Sequence, residues 1–211
     1  METKGHSESR SLHDEDGTEA CVLLLAPSLH AATEDACLDL LSFDAPAEEN
    51  VLWVTYTRSP DDCVQDWMAH ADAQPENVQF VNVGETTRAA SARPGGSTAS
   101  NVAEQAVESL SSPGDLTGLG IKLSEILKEW DHNDNQTVVC FDSLTALLQY
   151  ADLQTIYKFL HVLTGRFDAA DVTAHFHLDP DACDQQTVST LTSLFDTVVE
   201  LEDGEWSVRS R

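Results

Sequence analysis

Six short, dense apolar runs, separated by polar or helix-like stretches, constrain this chain more than any other feature. The runs are short enough to be strands, and their alternation with helical segments is the pattern of a parallel sheet joined by crossover helices. Cys21-Val22-Leu23-Leu24-Leu25 is followed by a loop over 26–31 and a helix near 32–41. Val51 to Tyr56 is the second strand. Ser59 then caps a helix that has Pro60 at its first position and Asp61 and Asp62 in its first turn, where acids suit the helix dipole.

Val78 to Val83 alternates as a third strand should, and the Gly-, Ser-, Thr- and Ala-rich stretch 84–100 reads as a loop. A short helix is expected over 101–110, broken by Ser111-Ser112-Pro113-Gly114. Asp115 caps a longer one ending near Trp130, with Leu116, Leu119, Leu123, Ile126, Leu127 and Trp130 on one stripe at helical spacing, which assigns them to the core. Thr137 to Phe141 is a near-continuous apolar strand ending in Asp142. A helix over 153–167, a strand over 172–178 and a helix over 185–195 follow. The segments 197–202 and 205–208, joined at Asp203-Gly204, form a closing β-hairpin. The fold class is therefore α/β: three layers, a mainly parallel twisted sheet with helices on both faces, and a C-terminal hairpin. At 211 residues one domain over 19–211 is expected, preceded by a polar tail over 1–18.

Thirty-seven acidic residues against 11 basic ones give a formal net charge of −26. The acids are spread from Glu2 to Glu205 rather than gathered in a tail, so they read as a solvated surface. Such a surface resembles proteins of salt-in halophilic archaea, in which molar salt screens the self-repulsion. It lacks the Lys/Arg footprint that neutralises phosphates, which excludes direct nucleic-acid binding. Cys21, Cys37, Cys63, Cys140 and Cys183 contain no CxxC pair and no short ligand spacing, and read as reduced, mostly buried thiols. No apolar leader and no run of membrane-spanning length is present in the sequence, so a cytoplasmic protein without membrane contact is expected.

A phosphate-binding loop needs glycines, a lysine for the outer phosphates and a Ser/Thr hydroxyl for Mg²⁺, all between the first strand and its helix. Residues 26–33 occupy that position but read Ala26-Pro27-Ser28-Leu29-His30-Ala31-Ala32-Thr33: alanines replace both glycines and the lysine, and only Thr33 is in register. Val138-Val139-Cys140-Phe141-Asp142-Ser143-Leu144-Thr145-Ala146-Leu147-Leu148, with its strand ending in Asp then Ser, resembles the Walker B segment of the RecA/KaiC-like P-loop ATPases. Val198 to Gly204 resembles that family's terminal strand and hairpin, and Asp115 to Trp130 resembles the KaiC-type proteins of halophilic archaea.

The resemblance covers about 20–208 and implies that Asp142 would hold Mg²⁺ through water. It also implies a vestigial nucleotide site of Ser28, His30, Thr33, Asp142 and Ser143. KaiC-type ATPases carry acids after the second strand to activate water, whereas Tyr56-Thr57-Arg58-Ser59-Pro60 has none. Phosphoryl transfer rests on positioning and electrostatic stabilisation, so the joint loss of lysine, glycines and base predicts no catalytic residues and no resident cofactor.

The expected function is accordingly a catalytically inactive KaiC-like domain, a regulatory or interaction module with a protein partner or its own copies. The alternative is a weak or atypical Mg-ATPase using Thr33 and Asp142, with Arg58, Arg88 or Arg93 supplying the missing cation. A third reading is a metal-binding sensor in which His175 and His177, on one strand face with Asp179, ligate zinc, although no second cluster is evident in the sequence to complete a site. His30 and His161 read as ordinary surface or packing residues, and Ser28 and Ser143 lie in no GxSxG elbow.

Overall fold

All six apolar runs become strands, and the central ones, Glu49–Thr55 and Gln136–Asp142 above all, are buried on both faces of the sheet. The computed structural model describes residues 21–28, 30–41, 48–71, 73–84 and 107–210. The expected tail over 1–18, the loop over 85–100, and Arg88 and Arg93 lie outside the described residues. In chain order the elements are β1 (Cys21–Leu25), α1 (Ala31–Leu41), β2 (Glu49–Thr55), α2 (Pro60–His70), β3 (Asn77–Val83), β4 (Val107–Leu110) and α3 (Leu116–Trp130). There follow β5 (Gln136–Asp142), α4 (Leu144–Leu147), α5 (Leu153–Ala169), β6 (Val172–Leu178), α6 (Gln185–Thr192), β7 (Thr197–Glu202) and β8 (Glu205–Ser210).

The eight strands form one sheet in the order β4-β3-β2-β5-β6-β1-β7-β8. Every neighbouring pair is parallel except β7 and β8. The central strands carry no polar alternation because neither of their faces meets water: all seven residues of β2 are buried. The closing hairpin turns on Asp203 (φ 52°) and Gly204 (φ 84°), a two-residue connection with both residues left-handed, whose twist suits the strands it joins.

Crossovers between parallel strands are right-handed, so the direction of each step decides which face its helix covers. The steps β1 to β2 and β2 to β3 run one way, and α1 and α2 lie together on one face, over Val51, Trp53, Phe80, Val138 and Cys140. The steps β4 to β5, β5 to β6 and β6 to β7 run the other way, and α3, α5 and α6 cover the opposite face. The stripe on α3 packs there as expected, with Leu127 only partly buried. Phe176 lies at the centre of that core, with ring centroids 5.4 Å from Phe141, 6.2 Å from Phe167 and 5.1 Å from Phe195.

Two expectations are corrected. Residues 107–110 are not the end of a helix but edge strand β4, paired with β3 from Phe80↔Val107 to Val83↔Leu110, while 101–106 lie outside the described residues. The last helix stops at Thr192 instead of reaching 195, because Phe195 turns inward to its place beside Phe176. Among the described residues no helix is long and apolar enough to cross a membrane.

Candidate functional site

Open α/β sheets take ligands outside the carboxyl ends of their strands, at a point where adjacent strands send their connections to opposite faces. Strands β1 and β6 are such a pair: α1 leaves β1 for one face and α6 follows β6 on the other. The crevice between them is bridged by the chain itself. Ser28, in the turn after β1, donates its backbone N–H to the Asp179 carboxylate at 2.9 Å. Asp179 begins the turn after β6, where its other oxygen accepts from the Asp181 N–H at 3.0 Å and caps a short 3₁₀ turn. Its own N–H donates to the Thr145 hydroxyl at 2.8 Å, which ties its position to the segment after β5.

Two other polar groups of the β1 turn are satisfied locally. Ala32 donates its N–H to His30 Nδ1 at 3.2 Å, and Thr33 donates its hydroxyl to the Pro27 carbonyl at 3.0 Å. Thr33 is buried, with its side chain directed back into the turn. Ser143 caps α4, its hydroxyl accepting from the Ala146 N–H at 3.2 Å.

Asp142 ends β5, which runs parallel to β1 with β6 between them. In the β2 ladder it stands opposite Thr55, a buried residue whose hydroxyl has no hydrogen-bond partner among the described residues. Burial pushes the Asp142 carboxyl above the usual carboxylate range, and the nearby His177 and Arg58 pull it back. Arg58 is ion-paired with Asp66 on α2 and lies within electrostatic reach of Asp142.

Behind this edge, on the face covered by α1 and α2, four soft donors converge. Cys37 comes from the second turn of α1, Cys140 from β5, and His175 and His177 from β6. Strand periodicity puts His175 and His177 on one side of β6, and the parallel register sets Cys140 beside His175. The sulfurs of Cys37 and Cys140 are 3.5 Å apart, His175 Nε2 is 3.3 Å from Cys37 Sγ, and His177 Nε2 is 3.6 Å from Cys140 Sγ. All four donor atoms lie within 4.8 Å of one another. The side chains of Cys37, Cys140 and His175 are buried, and that of His177 is half-buried.

The electrostatics of the cluster follow from its burial. Accepting from Cys140 lowers the Cys37 thiol well below the ordinary value, with His177 and His175 adding to the effect, while burial holds Cys140 high. Burial alone would lower His177, but the Cys37 sulfur and the Asp142 carboxylate outweigh it and raise the imidazole. Cys63, on α2 nearby, is pushed by burial up to about 12.

Of the residues singled out in the sequence, Ser28, His30 and Thr33 share the β1 turn, and Asp142 and Ser143 lie two strands away at the end of β5. Among the hydrogen bonds of the described residues, none joins the two groups directly; Asp179 and Thr145 lie between them. His175 and His177 do face one way, but Asp179 is engaged at the crevice instead of with them. The groups nearest the histidine pair are Cys37 and Cys140, expected from the sequence only as reduced, buried thiols.

Residues 20–201 match the model of a family described as a family of unknown function (DUF7504), and the chain belongs to that family. No curated protein matches it. Among solved structures, a structural study of a protein from Pyrococcus horikoshii OT3 is similar at a TM-score of 0.53 and 12% identity, covering 92% of this chain and 86% of that one. At that identity the likeness speaks for the fold alone.

Proposed function

We propose that this chain is a RecA/KaiC-like domain that has given up ATP hydrolysis and acts as a regulatory or protein-interaction module in the cytoplasm of a halophilic archaeon. One observation carries the loss: the Ser28 N–H at the ligand crevice is held by the chain's own Asp179 carboxylate. A phosphate-binding turn works by aiming free backbone N–H groups and a helix N-terminus at an incoming anion. Here an internal anion has taken one of those donors and His30 another, while the Thr33 hydroxyl that would reach Mg²⁺ is spent on Pro27. A triphosphate would have to displace a carboxylate and then sit beside it, with Ala32 standing where the compensating lysine belongs.

The parallel course of β1 and β5, with Asp142 at the carboxyl end of the latter, supports descent from a nucleotide-binding fold. Action through a partner or through copies of the chain follows from the family resemblance. The rival reading, a weak Mg-ATPase, is favoured by the approach of Arg58 to Asp142, an acid and a cation on one sheet edge.

A titration with ATP and Mg²⁺ in multimolar KCl separates the two. The inactive module shows no rise in melting temperature at millimolar ATP and releases no phosphate above the buffer rate. Turnover that disappears in Asp142→Ala would reverse the assignment in favour of the ATPase.

A further inference from the structure

We propose that Cys37, Cys140, His175 and His177 form a zinc site that pins α1 to strands β5 and β6. The inference does not depend on the nucleotide turn, and it takes both histidines of the strand-face pair together with two cysteines 103 residues apart.

Geometry carries the argument. A tetrahedral zinc ion with Zn–S near 2.3 Å and Zn–N near 2.0–2.1 Å sets its ligand atoms about 3.8 Å apart for two sulfurs and about 3.5 Å for sulfur and nitrogen. The distances here are 3.5 Å between the sulfurs and 3.3 and 3.6 Å for the two sulfur–nitrogen contacts, with every pair inside 4.8 Å. Three of the six separations thus match those of a tetrahedral set and the other three stay within 4.8 Å, so small side-chain rotations would bring the four atoms onto one ion.

Chemistry points the same way. Cys₂His₂ is an established zinc set, and two thiolates with two neutral imidazoles cancel the dication, so the buried site carries no net charge. On binding, the Cys/His cluster gives up two protons to solvent, two Zn–S and two Zn–N bonds form, and nothing is oxidised or reduced. Without a metal the same layer holds two cysteines and two histidines among Leu38, Trp53 and Val138, where apolar side chains would pack at lower cost. The half-buried His177, toward the open edge of the sheet, offers an entry path. Asp142, in electrostatic contact with that imidazole, is placed to orient it as outer carboxylates do at zinc centres.

The test uses the full, untagged chain, produced with zinc supplied and purified in high KCl. Elemental analysis should find about one zinc per chain, and cobalt replacement should give intense tetrahedral d–d bands with thiolate-to-cobalt charge transfer. Cys37→Ser, Cys140→Ser, His175→Ala and His177→Ala should each weaken metal binding at least about tenfold, while Cys63→Ser and Cys183→Ser should leave it unchanged. Folded wild-type protein that contains no zinc and gives no cobalt charge-transfer band would overturn the proposal. So would a Cys37–Cys140 disulfide in place of metal, or undiminished zinc in the Cys140→Ser/His177→Ala double variant. Should the ligand variants fail to fold, the cobalt spectrum of the wild-type apoprotein decides alone.

Discussion

Asp179→Ala isolates the contact on which the inactive reading rests. The substitution removes two acceptors at once: Oδ2 from the Ser28 N–H at 2.9 Å and Oδ1 from the Asp181 N–H at 3.0 Å. Loss of a capping aspartate costs about 0.5–2 kcal/mol, and an exposed hydrogen bond across a turn adds about 0.5–1.5 kcal/mol, so the sum is about 1–3.5 kcal/mol. For a domain of this size each kcal/mol moves the melting temperature by about 2–4 °C. The measurement belongs in multimolar KCl, where the screening length falls to about 3 Å and long-range repulsion among the acids no longer obscures a local contact. Asp179→Asn keeps an oxygen acceptor while removing the charge, and should lose less than half as much. If Asp179→Ala unfolds within about 0.3 kcal/mol of the wild type, the carboxylate does not hold the β1 turn, and the blocked crevice ceases to explain lost nucleotide binding.

Three further outcomes are expected. The net charge of −26 predicts a melting temperature that climbs from low to multimolar KCl as self-repulsion is screened, and a flat series would remove the halophilic reading. Phe176→Ala should cost about 3–5 kcal/mol in denaturant titrations, since the ring is fully buried and contacts three other phenylalanines; a loss under about 1 kcal/mol would mean that the layer collapses around the gap. Gly204→Ala should cost about 1 kcal/mol through backbone strain alone, because φ is +84° and an added Cβ would meet nothing within 4 Å.

Much of the fold was readable because parallel strands buried on both faces must be written as continuous apolar runs. The same logic explains the error at 107–110. Val107-Glu108-Ser109-Leu110 lies at the sheet edge and buries little, so its four residues need no dense run, and nothing in them distinguishes strand from helix. The end of α6 misled for a different reason: Leu191, Leu194 and Phe195 continue a helical spacing, yet the position of Phe176 draws Phe195 out of the helix.

The site was half legible. His175 and His177 share a strand face by simple alternation, as do Cys140 and Asp142, and both pairs could be found by counting in twos. What joins them is the register between β5 and β6, Cys140 opposite His175, which exists only once the strand order is known. Cys37 is further removed: it reaches the cluster because the right-handed crossover from β1 to β2 carries α1 over β5 and β6. Spacing along the chain therefore offered the two histidines as ligands, with Asp179, but gave no sign of the cysteines that complete the set.

That crossover also links the two halves of the site. Helix α1 starts at Ala31, in the turn whose donors are taken by Asp179, His30 and Pro27, and carries Cys37 less than two turns later. In a nucleotide-binding domain the N-terminus of this helix would be oriented by the phosphates it receives. Here no phosphate is needed to set its position: internal hydrogen bonds fix its start, and the contacts of Cys37 with Cys140 and His175 fix its second turn against the sheet. A fold that orders this helix with its own residues does not depend on a ligand to complete it, which is the physical condition under which the proposed loss of a nucleotide-binding lysine and glycines would leave the domain intact.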